Sequence, residues 1–235
     1  MKKTFFAFSM AVLVGFIAAV GLCVRVLVSP ETVSTFADGG MRIVVDPGHG
    51  GVDGGVTGKQ TGVKESDINL QISLLLKDVL TDMGFEVTLT RKTEAGLYGA
   101  PTNGFKKRDM QRRKEIIEET QPLMVISVHQ NFYPSRISRG GQVFYSKTDE
   151  RAEALALAIQ NRFNDLYIEQ GAKSRAPATG DYFMLECTSY PSVIVECGFL
   201  SNAADEAFIT SDYGQKKIAD SIAAGVVTYL SEFTA

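Results

Sequence analysis

Apolar positions along the chain follow three rhythms. From Phe5 to about Val24 they form one stretch, preceded by Lys2 and Lys3 and closed by Arg25. Roughly 20 such residues are long enough to cross a bilayer as a helix. Beyond residue 40 they contract into short blocks bounded by turn residues. These blocks, about Arg42–Asp46, Glu86–Thr90, Leu123–Val128, Gly141–Ser146, Tyr182–Leu185 and Ser192–Glu196, read as strands. Between them, apolar residues recur at helical spacing. Ile68, Ile72, Leu75, Leu76, Val79 and Met83 predict a helix with Ser66 as N-cap and a stop at Gly84. Arg108–Glu119, Asp149–Leu166, Ala203–Ile209 and Tyr213–Glu232 predict four more. Strands alternating with helices imply one α/β domain: a mostly parallel, twisted sheet with helices on both faces, preceded by an N-terminal hydrophobic helix.

The pattern divides the chain into residues 1–28 as a signal peptide or membrane anchor, 29–40 as a linker and 41–235 as the domain. Both readings of the first segment export the domain, because lysines before the span keep that end in the cytoplasm. Ala19-Val20-Gly21 offers a cleavage site, and the bulky Leu22 before Cys23 argues against lipidation. A net charge of −3, with no strongly basic tract, argues against nucleic acid as a partner. Cys187 and Cys197, the cysteines outside the leading stretch, read as buried reduced thiols.

Candidate chemistry gathers at strand ends. The block Arg42–Asp46 breaks into Pro47-Gly48-His49-Gly50-Gly51, and the block ending at Val128 delivers His129, the second of only two histidines. In an open α/β sheet that rim is where ligands bind. Glu65 stands at the predicted start of a helix on the same rim. Two imidazoles and a carboxylate are a common ligand set for catalytic zinc, with a fourth position left for water. Glu196, an acid closing the apolar block Val193-Ile194-Val195, would serve beside them as general base and then acid. Plainer readings stand beside these. The histidines read equally as structural, Glu65 as a first-turn carboxylate favoured by the helix dipole, and Glu196 as an ion-pair partner of Arg91, Arg112 or Arg113. Cys197 is a poor candidate ligand or nucleophile, since adjacent strand residues face opposite ways.

Five stretches carry a family resemblance: Val-Val-Asp-Pro-Gly-His-Gly-Gly (44–51), Lys-Glu-Ser-Asp-Ile-Asn-Leu (64–70), Val-Thr-Leu-Thr-Arg (87–91), Ile-Ser-Val-His-Gln-Asn (126–131) and Pro-Ser-Val-Ile-Val-Glu-Cys-Gly-Phe-Leu-Ser-Asn (191–202). With them, nearly all of residues 41–230 resembles the zinc-dependent N-acetylmuramoyl-L-alanine amidases. The resemblance implies that His49, Glu65 and His129 bind Zn2+, that Glu196 is catalytic, and that Asn131 lies beside the metal as a substrate-contact candidate. The expected reaction is hydrolysis of the amide between N-acetylmuramic acid and the L-alanine of the stem peptide, outside the cytoplasm. Peptidoglycan is the expected polymer, and the N-terminal segment the expected link to the membrane. Within the family the chain resembles the spore-cortex type, which implies sporulation and an accessory spore lipoprotein as a possible partner. Glu186 stands where many members carry arginine, a departure that bears on substrate contact. The alternatives are another zinc-dependent cell-wall peptidase and a non-catalytic wall-binding protein.

Overall fold

The computed structural model describes residues 40–233. The predicted hydrophobic helix, and with it the segment 1–28 and nearly all of the linker, lies outside the described residues. No helix among the described residues is long and apolar enough to cross a membrane.

Six strands form one sheet: β1 (Arg42–Pro47), β2 (Glu86–Leu89), β3 (Met124–Asn131), β4 (Gln142–Tyr145), β5 (Ala178–Thr179) and β6 (Ser192–Phe199), in the spatial order β2-β1-β3-β6-β4-β5. Strands β2, β1, β3 and β6 are parallel neighbours. β4 follows β3 through the 132–141 loop rather than a crossover helix, and it pairs antiparallel with β6. Six helices complete the described chain: α1 (Glu65–Asp82), α2 (Phe105–Thr120), α3 (Glu150–Glu169), α4 (Phe183–Glu186), α5 (Ala203–Ile209) and α6 (Asp212–Phe233).

Strand alternation sorts the buried side chains into two cores. Ile43 and Val45, Ile126 and Val128, and Val193 and Val195 face the larger core, which α1, α3 and α6 cover with residues such as Leu76, Ile159 and Ile222. Each fully buried aliphatic side chain there contributes about 1.5–3 kcal/mol. Val44, Val125 and Ile194 face the other way, onto a smaller core made with Ile117 of α2 and Met184 and Leu185 of α4. The same parity continues along the strands. Asp46, Ser127, His129 and Glu196 therefore belong to the face of the smaller core.

The structure corrects several expectations. Tyr182–Leu185 is not a strand; Phe183–Glu186 form one helical turn, with Leu185 N donating to Tyr182 O and Cys187 N to Phe183 O. Met184 and Leu185 are neighbours that bury into the same core, and a strand would turn one of them away. Helix α1 starts at Glu65, so Lys64 holds the cap position and the Ser66 hydroxyl bonds Asp67 instead. Helix α2 begins three residues earlier than the charge pattern suggests, at Phe105, after Gly104 in the left-handed region at φ 77. Pairing with β6 carries β3 past the expected end at Val128 to Asn131, so His129 and Asn131 lie on the strand itself. Cys187 and Cys197 are both free, as expected, and pack against the cores on opposite faces of the sheet, but Cys187 is half-buried rather than buried.

Candidate active site

The site begins where β1 ends. Gly48 lies so close to the His129 ring that a Cβ there would sit 2.3 Å from Cε1 and Nε2. His49 adopts φ 60, a conformation uncommon for a residue with a Cβ. Two arginines hold this turn by its carbonyls. Arg113 donates to Pro47 O at 2.8 Å and to His49 O at 2.6 Å. Arg91 donates to Pro47 O and Gly48 O, both at 2.9 Å. Buried Asp46 balances Arg113 at 2.5 Å and accepts from Thr90 and Ser127. Burial alone would raise the Asp46 carboxyl, but the Arg113 charge and these hydrogen bonds hold it below its usual range.

Glu65 enters from the first turn of α1, and its Oε1 lies 3.2 Å from His49 Nε2 and 2.9 Å from His129 Nδ1. One potential ligand atom from each of His49, Glu65 and His129 falls within 4.8 Å of the others. Val56 N donates to Glu65 Oε2 at 2.9 Å, and Gln130 N to Oε1 at 3.2 Å. Burial opposes ionisation of Glu65, but hydrogen bonds and charges from His129 and His49 bring its carboxyl well below the ordinary range. The outer nitrogen of His49, Nδ1, lies 3.3 Å from Asp53 Oδ1, so a carboxylate backs the imidazole.

Glu196 sits opposite His129 in the β3–β6 register. Its Oε2 is buried and has no hydrogen-bond partner among the described residues. Burial, reinforced by the Glu65 charge against the two histidines, pushes its carboxyl up to about 7. An acid that titrates there can take and return a proton near neutral pH. The ion-pair reading of Glu196 is not what the structure shows. Arg91 and Arg113 are occupied with the His49 turn, and exposed Arg112 pairs with Glu115 and Glu119. Cys197 turns to the opposite face and is fully buried in the larger core, where burial pushes its thiol far up. Asn131 stands two residues beyond His129, at an irregularity in the ladder, and its carbonyl accepts from Leu200 N.

The residues fit a metal. Two imidazole nitrogens and one carboxylate oxygen lie within 4.8 Å of one another, and a nearby buried carboxylate oxygen has no partner among the described residues. A cleft of about 310 Å³ opens alongside, lined by His49, Asp53 and His129 and by apolar residues that include Phe105, Phe183 and Ile194. Sequence reasoning did not find Asn69, Gln130 or Asp53, nor the true duty of Arg91 and Arg113. Asn69 alone carried a signal, since it stands four residues after Glu65 and so shares its helix face.

The N-acetylmuramoyl-L-alanine amidase family model matches residues 43–228. The germination-specific N-acetylmuramoyl-L-alanine amidase of Bacillus subtilis is 32% identical over 196 residues, spanning 82% of this chain and 81% of that protein. The N-acetylmuramoyl-L-alanine amidase LytC of the same organism is 28% identical over 190 residues, spanning 81% of this chain but only 36% of that longer protein. Among solved structures, the CwlD amidase from Clostridioides difficile, in complex with the GerS lipoprotein, is similar with a TM-score of 0.77 at 33% identity; the match covers 82% of this chain and 99% of that one. The catalytic domain of CwlV, from Bacillus (Paenibacillus) polymyxa var. colistinus, is similar with a TM-score of 0.70 at 27% identity, over 81% of this chain and 98% of that one.

Proposed function

The chain belongs to the N-acetylmuramoyl-L-alanine amidase family, and from that premise we propose that His49, Glu65 and His129 hold a zinc ion beside Glu196, the acid–base residue. The reaction is hydrolysis of the amide between N-acetylmuramic acid and the L-alanine of a peptidoglycan stem peptide. The observation that carries this reading is the convergence of the three ligand atoms within 4.8 Å, with Glu196 in register opposite His129. Bound there, zinc would supply a Lewis acid that acidifies water and polarises a carbonyl. Glu196 accepts the proton of the attacking water and returns it to the departing amine, tasks open to a carboxyl held in register opposite His129. Arg91 and Arg113 keep the His49 turn in its uncommon conformation, and Asp53 orients the His49 ring. Asn131, beside His129 on β3, is assigned to substrate contact.

The biological setting is inferred from the relatives. The germination-specific relative supports a role in the spore cortex, and the complex of a similar amidase with a lipoprotein supports an accessory lipoprotein partner. The Lys2-Lys3 pair and the apolar stretch after it support export, with residues 1–28 as anchor or signal. The chemical assignment is tested with two variants. Glu196→Gln is expected to retain zinc while release of stem peptides falls by about 10²–10⁴-fold; His129→Ala is expected to lose zinc and activity together. Full peptide release by Glu196→Gln would overturn its role.

A further inference from the structure

One buried side-chain amide on α1 touches all three segments that carry the ligand residues. Asn69 is fully buried. Its Nδ2 donates to Gly48 O, the residue before His49, at 3.2 Å, and to Glu65 Oε1 at 3.3 Å. Its Oδ1 accepts from Nε2 of Gln130, the residue after His129, at 3.1 Å. The orientation of the amide is set by chemistry. A peptide carbonyl and an ionised carboxylate can only accept, so the NH2 group must face them, and both of its hydrogens are then used.

We infer that Asn69 is a positioning residue for the metal site, fixing Glu65 Oε1 and the His49 turn relative to the His129 strand. This rests on the ligand assignment made above. Glu65 Oε1 is the oxygen that faces both His49 Nε2 and His129 Nδ1. Asn69 and Gln130 N both donate to that same oxygen, which fixes its position relative to the imidazoles. A helix residue thus ties together a loop, a helix and a strand that are distant in sequence. Groups that hydrogen-bond a ligating carboxylate typically tune metal affinity by 10–100-fold.

The test compares the full chain with Asn69→Leu, Asn69→Ala and Ser73→Ala. Ser73 is a fair control, because it lies one turn further along α1, is buried, and has a hydroxyl with no partner among the described residues. Three quantities are read: zinc affinity by chelator competition, the visible absorption of the cobalt-substituted protein, and the thermal midpoint of the metal-free protein. Both Asn69 variants are expected to bind zinc about 10–100-fold more weakly and to shift the cobalt bands, whereas Ser73→Ala leaves both unchanged. Asn69 variants that melt lower but bind zinc like the parent would show a merely structural amide and overturn the inference. If both fail to fold, Gln130→Leu, which removes the donor to Asn69 Oδ1, is expected to weaken affinity in the same direction; unchanged affinity there overturns the inference too. Zinc binding by the parent is read in the same titration, so a wrong ligand set (no uptake by the parent) is separable from a wrong role for Asn69.

Discussion

Glu196 occupies a place that disfavours its own charge, and this has a consequence for stability. Burial first, and the Glu65 charge second, raise its carboxyl from an ordinary 4.5 to about 7. In the metal-free chain the folded state therefore holds this proton more tightly than the unfolded state does. The cost of ionising Glu196 in the fold is absent below 4.5, grows between 4.5 and about 7, and is fully present above. Glu196→Gln removes that cost. It is expected to raise the thermal midpoint of the chelator-treated protein at about pH 8 and to leave it unchanged at about pH 4. Equal shifts at both pH values would contradict the assigned ionisation. His49, Glu65, His129 and Glu196 were legible in sequence because each is a chemically distinctive residue at a predicted strand end or helix start. Asn69 offered only its spacing from Glu65 on one helix face, and Gln130 offered nothing, since the duty of a buried amide shows only once its partners on other segments, here Gly48 O and the facing side-chain amide, are in place.

A buried ion pair joins two of the elements that meet at this site. Arg113 anchors α2 to β1 by bonding Asp46, and both are almost wholly buried. Removing one partner of such a pair leaves an uncompensated charge and costs about 3–5 kcal/mol. Arg113→Met is expected to lose about that much in urea unfolding, and pairing it with Asp46→Asn to recover part of the loss. A single variant as stable as the parent would contradict the anchor. The turn after β1 gives a second expectation. In Gly48→Ala the new methyl must displace the His129 ring, so zinc content should fall while the fold persists; an unchanged zinc content would refute that contact. Short β-branched runs bounded by turn residues made β1, β3 and β6 readable as strands from sequence. The helical turn of α4 was not readable, because four apolar or half-apolar residues fit either period and only the core beneath Met184 and Leu185 decides.

For the molecule as a whole, alternating elements predicted the α/β sheet, and the sheet then explains why chemistry gathers on one rim. The larger core on one face leaves the smaller one to share its side with the polar constellation, and the cleft opens between that constellation and the apolar residues of α2 and α4. The antiparallel turn-back of β4 was not legible, because strand direction depends on whether the preceding connection crosses over the sheet. On the proposed function, this rim is a zinc site that hydrolyses the muramoyl–alanine bond. The most direct measurement determines zinc content and released products on one purified sample of the full chain incubated with peptidoglycan. About one zinc per chain, with free stem peptides bearing an N-terminal L-alanine and activity lost to a chelator and restored by zinc, is the predicted result. Zinc-replete protein that yields any other new terminus, or release of those peptides that persists after zinc is stripped, would contradict it.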